Sequence, residues 1–342
     1  MCKIRRTVTI ILLIVICLLA LTFGFFDGYT GSGNLVATVI FSRAMPMRLI
    51  LLLAGAAVFI GPFLFGVAVA TTIGKGIADP HYITVPVLIA ALLAAILWKA
   101  LTGRWGIPAS SSHSLIGGLV GAILASSGPS VLEISGLFKI GLALAISPVL
   151  GLAGGYLVMR LTLFSTRGAT PGVNTTFKRV QSVTAVSLAL SHGANNAQKT
   201  MGIIALGLVA LDLQSEFGVP FWVIVASAAS IALGTLMGGR QIIKKLGDKF
   251  YRIRPVHGFA SQATSAAVIA GAALLGGPVS TTQTVSSTIA GVGSAERVSK
   301  VRWGVFYEMG AAWLFTVPAT MLMAAIIFYA LQALIIQLNI TW

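Results

Sequence analysis

Residues Val183 to Leu211 form an apolar run long enough to cross a bilayer, yet its middle reads Ser191-His192-Gly193-Ala194-Asn195-Asn196-Ala197-Gln198-Lys199-Thr200-Met201-Gly202. A polar side chain in hydrocarbon costs several kcal/mol unless a partner satisfies it, so polar groups clustered at this depth mark a site. Gly193 and Gly202 suggest a backbone that leaves helical geometry here, which a membrane tolerates only where it lines a cavity. Ser, Asn and Thr also serve as polar contacts between packed helices. Lys199 separates the two readings, because an ammonium asks for an anion.

The rest of the chain is of one kind with this stretch. Of its 342 residues 57% are hydrophobic and 9% charged, too little charge to cover a soluble core. Successive apolar runs of about twenty residues describe a polytopic all-α membrane protein, multi-pass in the plasma membrane with the lipid bilayer as its surroundings. The net charge of +15 belongs to basic loops rather than to a nucleic-acid surface. Cys2 and Cys17 give neither a disulfide framework nor a metal site. The basic start Lys3-Ile4-Arg5-Arg6 and the apolar residues after it are read as a first span and not a cleaved leader.

Spans are expected at Thr7 to Gly24 and onward to Arg43, at Met47 to Thr72, Val85 to Ala100 and Ile107 to Ser127. Others follow at Leu137 to Phe164, Val183 to Leu211, Phe221 to Met237, His257 to Leu275 and Trp303 to Leu338. Loops at 165–179, 240–254 and 297–302 carry the basic excess and lie inside, with Arg43, Arg48, Lys99 and Arg104 at inner span ends. Asp79, Glu133, Asp212 and Glu216 fall outside. Lys3, Arg5 and Arg6 dissent from this orientation.

Two motifs recur. Pro108-x-Ser110-Ser111-Ser112-x-Ser114 and Pro278-x-Ser280-Thr281-Thr282-x-Thr284 share one pattern at an offset of 170. A polar break at Asp27-Gly28-Tyr29-Thr30-Gly31-Ser32-Gly33-Asn34 aligns with 192–199 at an offset of 165. Near-equal offsets predict two duplicated halves, 1–165 and 181–342, joined by a basic cytoplasmic linker at 166–180, and the loop charges set the two in opposite orientation. Such inverted repeats place broken helices and their binding site near the midplane.

The residues fit an oxyanion. Hydroxyls and amides supply donors on all sides, helix starts add backbone N–H groups, and Lys199 adds charge. The expected substrate-binding set is Asn34, Ser110, Ser111, Ser112, Asn195, Gln198, Lys199, Thr200, Ser280, Thr281 and Thr282. No catalytic residue or cofactor is expected. The nearest nucleophile–base pair, Ser111 or Ser112 with His113, lacks a third group to orient it, which argues against an enzyme. His113 and His192 could relay a proton, or serve as hydrogen-bonded packing groups.

Ser191-His-Gly-Ala-Asn-Asn-Ala-Gln-Lys-Thr-Met-Gly202, Trp105-Gly-Ile-Pro-Ala-Ser-Ser-Ser-His-Ser-Leu-Ile-Gly-Gly118, Arg254-Pro-Val-His-Gly-Phe259 and Pro278-Val-Ser-Thr-Thr282 together resemble the PiT family of inorganic phosphate transporters. The resemblance runs nearly end to end and implies a secondary transporter moving phosphate with sodium or protons. Two signature carboxylates are replaced: Asn196 stands where similar sequences carry Asp, and Gly31 where they carry an acid. Gln283 stands where they often have His. Asp27, Thr30 and Asn196 are then the coupling-ion candidates, with Na+ or H+ as the ion, and weak sodium dependence is expected. Loss of the carboxylates eases binding of a full dianion, so sulfate is the alternative substrate; a transport-inactive receptor or regulator is the alternative class. A homodimer is left open.

Overall fold

A computed structural model describes residues 2–105, 109–170, 172–238 and 254–337, in eleven α-helices. They are α1 Cys2–Phe41, α2 Met47–Phe65, α3 Ala68–Lys75, α4 Val85–Trp105, α5 Ser111–Ser127, α6 Ile134–Ser165, α7 Val173–Ala210, α8 Phe221–Met237, α9 Pro255–Leu274, α10 Thr281–Glu296 and α11 Trp303–Gln337. The basic loop at 240–253 and Pro108 lie outside the described residues. Among the described residues five helices, α1, α2, α4, α6 and α11, are long and apolar enough to cross a membrane by length and composition. At 1.5 Å per residue the 40-residue α1 and 38-residue α7 reach about 60 Å, twice a hydrocarbon core, so they tilt or project beyond it.

Two expectations are corrected. First, neither polar stretch is a break: 27–34 lies inside α1 and 191–202 inside α7, both continuous. The glycines serve close packing instead. A β-carbon on Gly28 would stand 2.0 Å from the carbonyl oxygen of Ile231, and one on Gly234 2.0 Å from that of Phe25. Likewise one on Gly193 would stand 2.1 Å from the oxygen of Val58, and one on Gly61 2.1 Å from that of Leu190. Bare backbone lets α1 lie against α8, and α2 against α7, as small residues do in membrane bundles.

Second, Met47 to Thr72 is two helices. Gly66 takes φ +73, a left-handed conformation that disfavours a β-carbon, and the chain restarts as the short α3. Residues 173–180 of the expected linker belong to α7. Pro62, Pro148 and Pro318 sit inside α2, α6 and α11 without ending them.

The remaining interfaces set the site. α5 packs on α11 and α6 on α10, again over glycine: a β-carbon on Gly121 would meet the Met321 oxygen at 2.2 Å, and one on Gly291 the Leu152 oxygen at 2.0 Å. These contacts hold α5 and α10 so that their first turns begin in the protein interior.

Candidate functional site

Ser110 and Ser280 cap α5 and α10. Each has an extended backbone and a side-chain oxygen that accepts the N–H three residues on, from His113 at 3.3 Å and Gln283 at 3.4 Å. The Ser112 hydroxyl donates to the Val279 carbonyl at 2.8 Å, so the first turn of α5 touches the lead-in of α10. Two helix starts, each with unpaired N–H groups and the positive end of a dipole, therefore lie side by side.

The long helices cross this point. On α7, Ser191, Asn195, Lys199 and Asn196 recur at helical spacing, and all are buried. Asn196 Nδ2 donates to Thr281 Oγ1 at 3.3 Å, and Asn195 Nδ2 to the Gly277 carbonyl at 3.0 Å. From α1, Asn34 Nδ2 donates to Thr282 Oγ1 at 3.1 Å. The Lys199 ammonium, only 1% exposed, donates to Asn196 Oδ1. It does not reach for an interface. An ammonium can only donate, so the Asn196 oxygen must face it, and the amide nitrogen faces His192 Nδ1 at 2.9 Å.

Asp27 and Lys99 complete the cluster. Lys99 Nζ stands 3.1 Å from Asp27 Oδ1, both residues are buried, and the ammonium lies 5.4 Å over the Phe23 ring. Lys199 and His192 are within electrostatic reach of Asp27, and the Ser111 hydroxyl lies beside it. Lys99 is not the inner-end charge expected from sequence. Its one sequence signal is a lysine directly after the apolar run Val85 to Trp98. Two ammoniums thus face one carboxylate, leaving an excess positive charge in the interior.

Not every expected residue joins this cluster. The Gln198 Oε1 accepts from Val69 N at 2.7 Å and Ala70 N at 3.3 Å, capping the start of α3. The Thr200 hydroxyl lies against Gly24 of α1. Thr30 donates back to the Phe26 carbonyl at 2.7 Å within its own helix. His113 is tied to Ser110 Oγ at 2.8 Å. Glu296 ends α10 beside Arg254 and His257, and the side chain of Glu308 lies outside the described residues. Among the described residues no group of three His, Cys, Asp or Glu side chains could hold a metal ion.

Comparison with known proteins follows the same outline. A protein of Rhizobium meliloti (strain 1021) named "Probable low-affinity inorganic phosphate transporter" is 42% identical over 321 residues, covering 93% of this chain and 96% of the relative. One of the same name from Bacillus subtilis (strain 168) is 39% identical over 329 residues, covering 95% and 98%. A solved structure described as "The sodium-dependent phosphate transporter" shares the fold, with a TM-score of 0.85 at 24% identity over 94% of this chain and 99% of that one. The model of the phosphate transporter family matches residues 27–324, and the chain belongs to that family.

Proposed function

We propose that this protein carries inorganic phosphate across the membrane as a secondary transporter, binding it where the first turns of α5 and α10 meet α1 and α7. The observation that carries the reading is the buried juxtaposition of two capped helix starts with Asn34, Asn196 and Lys199. A tetrahedral oxyanion needs donors on several sides and a countercharge. Ser111, Ser112, Thr281 and Thr282 offer hydroxyls, the helix starts offer backbone N–H groups, and the ammonium offers charge. The names of the relatives in Rhizobium and Bacillus point the same way. The amides that now donate to Thr281 and Thr282 are the groups that would turn to a bound anion.

The reading includes two halves of opposite orientation. Its support is that packing contacts come in pairs at the sequence offsets. Gly28 on Ile231 corresponds to Gly193 on Val58, with steps of 165 and 173, and Gly121 on Met321 to Gly291 on Leu152, with steps of 170 and 169. In each pair a helix of one half lies on the other half. Transport would then be a shift of these cross-packed pairs about the shared site. His113 and His192 serve in this reading as hydrogen-bonded groups that hold Ser110 and Asn196 in place.

Purified protein in proteoliposomes should take up labelled phosphate down its gradient, and unlabelled phosphate should compete. Uptake of sulfate in its place would move the reading to the other tetrahedral oxyanion. Uptake of neither, by folded protein, would refute transport.

A further inference from the structure

The two side-chain oxygens that a coupling cation would be expected to use are both already held by lysines of this chain. Asp27 Oδ1 accepts from Lys99 at 3.1 Å, and Asn196 Oδ1 accepts from Lys199. Sodium binds oxygens that accept, and in low dielectric it needs a carboxylate to offset its charge. Asp27 is the buried carboxylate of this cluster, and its partner ammonium is itself buried and enclosed by the Phe23 ring. The Thr30 hydroxyl is turned to its own backbone at Phe26, and Gly31 offers no side chain. The Ser111 hydroxyl lies beside Asp27, and a cation brought to Oδ2 would meet the excess positive charge of Lys99 and Lys199. The residues present do not fit a dissolved cation.

We propose that Lys99 is a built-in counter-cation: its ammonium, carried on α4, takes on Asp27 the place of a coupling sodium ion, so that the protein binds no sodium there. The lysine differs from an ion in being tethered. It neutralises Asp27 without leaving with the cargo, and it makes the electrostatics of the interior independent of the sodium gradient. Removing the lysine while keeping the carboxylate should recreate a cation site, because it frees Asp27 Oδ1 from its ion pair and removes the excess positive charge that repels a cation.

The inference sits inside the site described under the proposed function, and its test avoids phosphate altogether. Thermal unfolding of the purified, detergent-solubilised protein is followed in sodium chloride and in choline chloride at equal ionic strength. The wild type should unfold at the same temperature in both. Lys99→Ala should be stabilised by sodium over choline by about 3–5 °C with a saturable dose dependence. Asp27→Asn combined with Lys99→Ala should lose that shift. A wild type specifically stabilised by sodium would overturn the proposal, as would a folded Lys99→Ala variant indifferent to it. Should that single variant fail to fold, the wild-type titration still decides: a flat response supports the proposal and a sodium shift sinks it. A protein that transports no phosphate but shows this pattern would keep the inference while removing the functional reading.

Discussion

Gly31 and the imidazole of His192 share one volume: a β-carbon on Gly31 would stand 2.7 Å from His192 Cε1. The missing side chain on α1 is the space into which a ring from α7 fits, and that ring in turn meets the Asn196 amide. Gly31→Ala should therefore push the ring off Asn196 and cost about 1–3 kcal/mol of stability, the usual range for overfilling a packed interior. Adding His192→Ala should restore part of the loss. A melting curve of Gly31→Ala that matches the wild type would mean that the imidazole has room to retreat.

The hydroxyls at the two helix starts make a second prediction. Ser112→Ala and Thr282→Ala should each weaken phosphate binding by about 1 kcal/mol, roughly five-fold in Kd. Isothermal titration of the purified variants reads this directly. Unchanged affinity in both would place the anion elsewhere.

Lys199 should matter more. Lys199→Gln keeps a donor for Asn196 but deletes the charge, and hydrogen bonds to charged groups are worth about 1.5–3 kcal/mol. Affinity should fall by more than for either hydroxyl variant while the folded fraction holds. If Lys199→Gln transports at the wild-type rate, the buried ammonium is there for Asn196 and not for the substrate.

Glycine packing gives a stability contrast. Gly28→Val and Gly193→Val would drive side chains into the carbonyls of Ile231 and Val58, and little folded protein should be recovered from the membrane. Gly141, on α6, has nothing within 4 Å of an added β-carbon. Gly141→Ala should be tolerated, and by helix propensity stabilised by about 1 kcal/mol. Size-exclusion profiles of the three variants distinguish these outcomes.

How the site could be read from sequence follows from these residues. Ser110 and Ser280 precede their helices in the same spacing of hydroxyls, and side-chain capping is a local rule, so both helix starts were visible in the chain. The offsets of the motifs point to a meeting with Asn34 and Asn195, whereas Asn196, read as a coupling-ion candidate, is the amide that donates to Thr281. The continuity of α1 and α7 was not legible, because a glycine among polar residues fits a kink and a tight helix contact equally well. Only the position of Ile231 and Val58 in space decides between them. Lys99 was missed for a related reason: a lysine late in an apolar run reads as the end of a span. Its partner Asp27 lies 72 residues away in sequence, and no local pattern joins them. Gln198 shows the converse, a residue of the polar motif whose oxygen is spent on starting α3.

The cross-packing of α1 on α8 and of α2 on α7 bears on how the chain is made. A ribosome delivers α1 and α2 to the membrane well before their partners exist, so Gly28 and Gly61 wait as bare grooves facing lipid or the insertion machinery. The early helices stay provisional until synthesis has passed α8, and a chain stopped near Ser165 has its membrane segments but no closed interior. Degradation surveillance should recognise such a fragment by those open grooves. Conversely, two polypeptides split between Ser165 and Val173 and produced together carry every complementary surface between them. They should find each other in the bilayer and rebuild the interior without a covalent link.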